Sequence, residues 1–247
     1  MLGLPDGVIA CLFDLDGVVT QTARVHSAAW KDMFDGFLRQ HAETTGTPFV
    51  PFERADYITY VDGKPRLDGT RSFLQSRGIE LPEGTPDDPP GTLTVWGLSN
   101  KKNNLVLEMF AKGGVDVYPG TVSYIRSAKN DFGIKTAIVS SSANTQQVLE
   151  GVGLSDLFDV RIDGVIATER GLAGKPAPDT YLAAAKELNV TPAQAAVFED
   201  ALSGVAAGRA GNFALVVGVD RVGQAAELSE HGADIVVKDL AELMDRA

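Results

Sequence analysis

The stretch Val8-Ile9-Ala10-Cys11-Leu12-Phe13-Asp14-Leu15-Asp16-Gly17 decides how the rest of the chain is read. It is a short apolar run closed by glycine, so it predicts a central strand covered on both faces. Asp14 and Asp16 then fall just past the carboxyl end of that strand, where ligands bind in open α/β sheets. Two residues apart in extended chain, their side chains leave the same side and converge on one small volume. Two carboxylates so close repel each other, and a bound cation or a shared proton relieves the repulsion. Asp-Leu-Asp-Gly is also an ordinary turn at the end of a strand, so the partners elsewhere in the sequence decide between turn and site.

Working outward, residues 23–40 place Val25, Ala29, Met33 and Phe37 at helical spacing, with His26 and Trp30 four residues apart on one face. From His26 to Gly113 the strand pattern is missing. Residues 69–74 read as a helix start, 102–110 as a further helix, and the Pro- and Gly-rich stretch 81–91 as an exposed loop between them. Past Gly114, strands and helices alternate. Strands are expected at 136–140, near Val160, and at 195–198, 214–219 and 235–237; helices at 121–129, 144–150, up to Leu188, 201–210 and 224–231. Repeated β–α units make a parallel sheet with right-handed crossovers. The expected fold is therefore α/β: a Rossmann-like parallel core with helices on both faces, residues 1–25 and 114–247, carrying a mainly helical insertion, residues 26–113.

Composition narrows the function. With 247 residues the chain can bury a sizeable core, and 44% hydrophobic with 22% charged residues is the balance of a soluble globular protein. A formal net charge of −11 opposes nucleic acid and anionic membranes as partners, while a small anionic substrate responds to local charge instead. No apolar run approaches the roughly 18 residues of a membrane span, and no signal-like segment is recognised. A cytoplasmic location is expected, with no obligate protein partner inferred. Cys11, the single cysteine, lies in the first strand and reads as a core thiol.

Four strand ends carry polar groups: Asp14 with Asp16, the run Ser140-Ser141-Ser142-Ala143-Asn144, Lys175, and Glu199-Asp200. A parallel sheet brings such ends to one edge. Acids from two strand ends with a backbone carbonyl between them make an all-oxygen site suited to Mg²⁺. Ser140 to Asn144 opens a helix and offers hydroxyls and backbone N–H groups to a phosphate, to which Lys175 adds a point charge.

These motifs, in this order, resemble the haloacid dehalogenase superfamily: Asp14-Leu15-Asp16-Gly17-Val18, the serine strand end, Gly174-Lys175-Pro176-Ala177-Pro178-Asp179, and Glu199-Asp200 with Gly204. The resemblance covers nearly the whole chain, and the insertion is similar to the superfamily's small helical cap. Asp14 to Ala23 with His26 and Trp30, Lys101-Lys102-Asn103, and Lys175 to Asp179 are similar to the β-phosphoglucomutase-like subfamily. That resemblance implies a nucleophile at Asp14 that becomes an aspartyl phosphate, and a general acid and base at Asp16. It implies Mg²⁺ on Asp14, the carbonyl of Asp16 and Asp200, with Glu199 either a ligand or a partner behind the ligands. Ser140, Ser141, Ser142, Asn144 and Lys175 would hold the transferring phosphate. For a second, distal phosphate the cap offers Arg71, just after Gly69, with Arg66 as its rival. His26 and Lys101 would position Asp16 as the cap closes, and Trp30 would wall the sugar from water. The implied activity converts β-D-glucose 1-phosphate to D-glucose 6-phosphate through glucose 1,6-bisphosphate; the alternatives are a sugar-phosphate phosphatase and a noncatalytic sugar-phosphate-binding protein. One departure from the subfamily pattern is Ala143, where a lysine is expected.

Overall fold

The computed structural model describes residues 2–244. They divide into two compact units, residues 2–22 with 115–244, and residues 23–114. Along the chain, β1 (Ala10–Phe13) comes first and the second unit follows. That unit contains α1 (Ala23–Thr45), the short α2 (Arg54–Asp56) running into a π-helical turn at Tyr57–Val61, α3 (Arg66–Ser76) and α4 (Val95–Gly113). The first unit then resumes with α5 (Pro119–Asn130), β2 (Lys135–Val139), α6 (Thr145–Gly151), β3 (Val160–Ile162), α7 (Gly164–Glu169) and α8 (Asp179–Glu187). It ends with β4 (Ala195–Glu199), α9 (Leu202–Ala210), β5 (Leu215–Val219), α10 (Ala225–Glu230), β6 (Ile235–Val237) and α11 (Ala241–Met244). No helix among the described residues is long and apolar enough to cross a membrane.

The strands form one parallel sheet in the order β3-β2-β1-β4-β5-β6, with β1 central as its apolar run requires. Alternation along β1 separates two cores. Ala10 and Leu12 join the cluster of Val139, Val197, Tyr181 and Leu188. Phe13, on the other face, stacks on Phe198 at 4.6 Å and meets the edge of Tyr124 at 6.3 Å. Burying each such side chain contributes about 1.5–3 kcal/mol. The chain leaves and re-enters this unit through two paired segments: Thr20 bridges Val117 in antiparallel fashion, Gln21 N donates to Asp116 O at 2.8 Å, and Tyr118 N donates to Val19 O at 3.0 Å.

The second unit is built on an aromatic cluster. Phe34 of α1 packs at 4.1 Å from Phe73 of α3, at 5.1 Å from Phe52 and at 5.2 Å from Trp30. The unit begins at Ala23, where α1 starts, so His26 falls in the first turn of an unbroken helix. Helix α3 starts at Arg66 rather than at the expected Gly69, which lies one turn inside. A Cβ on Gly69 would come within 3.2 Å of the Trp30 ring and 3.3 Å of Val61, so the glycine sits where α3 presses on the cluster. Helix α4 starts at Val95, well before the expected 102, because Thr94 caps it by accepting from Gly97 N at 2.9 Å.

Candidate active site

The site in the first unit follows from register. Phe13 pairs with Ile138 on one side and Phe198 on the other, so the residues after β1, β2 and β4 emerge at one edge. Asp14 N donates to Phe198 O at 2.9 Å and Ser140 N to Ile162 O at 3.0 Å, which carries the ladder one residue beyond the strands. Asp14 is only 6% exposed.

Lys175, on the loop between α7 and α8, is buried beside it. Its ammonium donates to Asp14 Oδ1 at 2.5 Å, to Glu199 Oε1 at 2.6 Å and to Val139 O at 3.1 Å. The Tyr181 hydroxyl donates to Glu199 Oε1 at 3.0 Å and Ala201 N to Glu199 Oε2 at 3.1 Å, so both oxygens of Glu199 are engaged. Burial pushes the Asp14 carboxyl up against the pull of Lys175, with Glu199 and Asp16 pushing the same way as burial. Burial works against the Lys175 ammonium, but Asp14 and Glu199 outweigh it and its pKa rises. Burial and the charge of Glu199 raise the Tyr181 phenol, which stays a neutral donor.

Asp14, Glu199 and Asp200 each offer an oxygen within 4.8 Å of the others, and all three residues are buried. Three buried carboxyl groups gather where one ammonium pairs with two of them, Asp14 and Glu199. Excess negative charge in a dry setting lined only by oxygen donors fits a hard divalent cation. Gly17 lets the two acidic segments close on each other: its φ is +92°, and a Cβ there would lie 1.8 Å from Asp200 Oδ2.

Asp16 is held by hydroxyls. Thr22 donates to Asp16 Oδ1, and Ser140 Oγ donates to Asp16 Oδ2 at 3.4 Å. Thr22 is in turn 2.6 Å from the Thr20 hydroxyl, which reaches Leu15 O at 3.1 Å. The serine turn is more self-contained than its sequence implies. Ser142 N donates to Ser140 Oγ at 3.0 Å and Asn144 N to Ser142 Oγ at 3.2 Å, so these two backbone donors are engaged within the turn. Ser141 and Asn144 are half-buried on it, and Ala143 is exposed.

In the second unit, His26 meets Lys102 rather than Lys101. Lys102 Nζ is 2.9 Å from His26 Nδ1 and 4.9 Å from the centre of the Trp30 ring, and it is buried. With Lys102 as an ammonium, which only donates, Nδ1 is the acceptor of this contact. Neighbouring residues on a helix point about 100° apart, and Lys101 Nζ instead lies 3.5 Å from where a Cβ on Gly36, farther along α1, would sit. Trp30, 3% exposed, is a core residue of this unit. Arg71 is exposed and ion-paired with Asp68 at 2.7 Å and with Glu83. Arg66 is half-buried, its Nε has no hydrogen-bond partner among the described residues, and burial lowers its pKa.

Sequence reasoning overlooked Lys102 as the partner of His26, and overlooked Tyr181. The signal for Lys102 was the adjacent pair Lys101-Lys102; nothing local singles out Tyr181, whose role comes from the buried acid it serves.

The haloacid dehalogenase-like hydrolase family model matches residues 9–212. A Mycobacterium tuberculosis protein described as β-phosphoglucomutase is 58% identical over 99% of this chain and 94% of its own length. A Bacillus subtilis protein of the same description is 33% identical over 95% and 91%. The crystal structure of β-phosphoglucomutase from Clostridium difficile superposes with a TM-score of 0.74 at 26% identity, covering 96% of this chain and 93% of that one. On the motifs, the parallel core and these likenesses together, the chain belongs to the haloacid dehalogenase-like hydrolase family.

Proposed function

We propose that the protein acts as a Mg²⁺-dependent β-phosphoglucomutase, interconverting β-D-glucose 1-phosphate and D-glucose 6-phosphate through glucose 1,6-bisphosphate. The observation that carries this reading is the buried Asp14, whose Oδ1 is held by Lys175 at 2.5 Å in a pocket shared with Glu199 and Asp200. The 58% identity with relatives described by that activity supports the choice of sugar.

Asp14 Oδ2 attacks phosphorus, and the bond from phosphorus to the sugar oxygen breaks. Asp16 gives its proton to the leaving oxygen; in the reverse sense it takes the proton of the attacking hydroxyl, which then accepts the phosphoryl group from Asp14. Thr22 and Ser140 keep the Asp16 carboxyl aimed. Mg²⁺, held by Asp14, Asp200 and the carbonyl of Asp16, would supply positive charge against the transferring phosphoryl oxygens. Lys175 supplies more of the same and keeps Asp14 from repelling Glu199. With its oxygens on Lys175, Tyr181 and Ala201, Glu199 is a counter-charge behind the metal ligands. From the second unit we assign the His26–Lys102 pair to the reaction and Arg66, rather than Arg71, to the distal phosphate, because Glu83 and Asp68 already occupy the Arg71 fork.

The test is to supply β-glucose 1-phosphate, Mg²⁺ and catalytic glucose 1,6-bisphosphate, and to follow glucose 6-phosphate and inorganic phosphate together. Glucose 6-phosphate formed well ahead of phosphate is expected. Rapid phosphate release without glucose 6-phosphate would make the protein a phosphatase.

A further inference from the structure

We propose that Arg221, on the loop after β5, is a positioning residue for phosphoryl transfer, clamping the loop that carries Asp16 against the segment that carries Asp200. The proposal rests on the function assigned above, although its test is partly independent of the substrate.

Arg221 contributes no reacting atom, yet its guanidinium ties together segments far apart in sequence. Its Nε donates to Gly17 O at 2.8 Å. Its Nη2 reaches Val18 O at 3.4 Å and Thr121 Oγ1 at 3.5 Å, while Nη1 donates to Lys238 O at 2.5 Å and meets Asp239 Oδ2 at 3.4 Å. The guanidinium also lies 3.5 Å over the ring of Tyr118, and the side chain is 13% exposed. A planar fork with several fixed donors can satisfy all these acceptors together, whereas a lysine ammonium cannot span them.

The carbonyls it holds belong to the part of the β1 loop that touches the second acid. Gly17 leaves no space for a Cβ beside Asp200 Oδ2, so a shift of the Gly17 backbone is transmitted to that carboxylate. From the same loop Gln224 Nε2 donates to Asp200 O at 2.9 Å. The loop is itself rigid: Asp220 Oδ1 accepts from the N–H groups of Val222, Gly223 and Gln224 at 3.2, 2.6 and 2.9 Å. Residues 220–224 therefore fix the backbone of both acid-bearing segments. Partners placed behind metal ligands commonly change affinity or turnover by about 10- to 100-fold.

The test compares Arg221→Met and Arg221→Lys in the full chain, reading Mn²⁺ binding to the protein alone by electron paramagnetic resonance, kcat and KM for β-glucose 1-phosphate, and thermal unfolding. Arg221→Met is expected to weaken Mn²⁺ binding several-fold and to lower kcat roughly 10- to 100-fold, with KM moving less than about threefold. Arg221→Lys, which keeps the charge without the fork, should recover part of both losses. Wild-type kcat and Mn²⁺ affinity in either folded variant would overturn the proposal, and so would failure of both variants to fold, which would make Arg221 structural. If the wild-type chain binds Mn²⁺ but does not isomerise the sugar phosphate, the functional reading has failed, and the Mn²⁺ comparison still decides the clamp.

Discussion

The two units treat buried charge differently. In the first, Lys175 pairs with Asp14, just past β1, and with Glu199 of β4, so opposite charges from distant sequence meet at a common edge, with Asp200 left in excess. In the second, Lys102 is held by an imidazole and the face of an indole, and Arg66 keeps a buried Nε without a hydrogen bond among the described residues. A parallel sheet gathers side chains from distant sequence because register brings strand ends together. A helical unit has no such edge, and helix rotation and aromatic packing decide what its polar groups meet. On the function proposed above, the first unit would hold the reacting phosphoryl group, and Arg66 of the second would meet an anionic ligand.

The comparison can be broken most directly at Asp14. Asp14→Asn keeps the shape and leaves Lys175 paired with Glu199, so the chain should fold, while turnover should fall by about 10⁴-fold or more because no carboxylate remains to accept the phosphoryl group. Substantial residual kcat in a folded protein would remove the nucleophile from the first unit. Next, Lys102→Met should lower kcat on the order of 10²-fold, whereas Lys101→Met should change it by less than about threefold; the reverse order would mean that α4 presents the other lysine to the reaction. Arg66→Ala should then raise KM for the sugar phosphate by about tenfold or more, as expected for losing a charge-assisted contact. Arg71→Ala, which removes two exposed ion pairs, should leave KM near wild type and cost about 1 kcal/mol of stability or less.

The smallest effect is expected at a surface charge of the sheet unit. Burial alone would raise the Asp159 carboxyl, but Lys129 and the Thr136 N–H outweigh it and hold it below its ordinary 3.8. A depressed folded value means that this carboxylate stabilises the fold above the ordinary aspartate range and stops doing so as pH falls through the folded value. Asp159→Asn should therefore cost about 0.5 kcal/mol at neutral pH, after allowance for solvent screening, and the difference should vanish in strong acid. A difference that persists there would point to lost packing instead of lost charge. Denaturant titrations of both proteins across pH measure it.

Legibility followed the same division. The apolar run before Asp14, the strands ending at Ser140 and Glu199, and their gathering at one edge could all be read from pattern, because period and register obey simple rules. Three helices escaped: α2 with its π-helical turn, and α7 and α11, which are six and four residues long and too short for a periodic signal. What marks the start of α7 is a cap, Asp163, accepting from Val165 N and Ile166 N. In the second unit, α3 starts after Pro65, and α4 starts at Val95, just past the stretch 81–91 whose prolines and glycines read as loop, so both starts were placed too late. Once the start of a helix is displaced, the choice between adjacent lysines or nearby arginines has no local guide. His26 and Lys102 find each other only through the packing of α1 on α4.

The paired segments at Thr20–Gln21 and Asp116–Val117 have one more consequence. They are the two legs of a hairpin, and none of the hydrogen bonds between them involves residues 23–114. Closing a longer excursion costs only logarithmically more entropy, so such a doorway tolerates modules of very different size. A two-residue turn of the Asn-Gly type would suffice to seal it. The sheet unit is in this sense a socket, able to exchange what it carries without rebuilding the strands that do the chemistry.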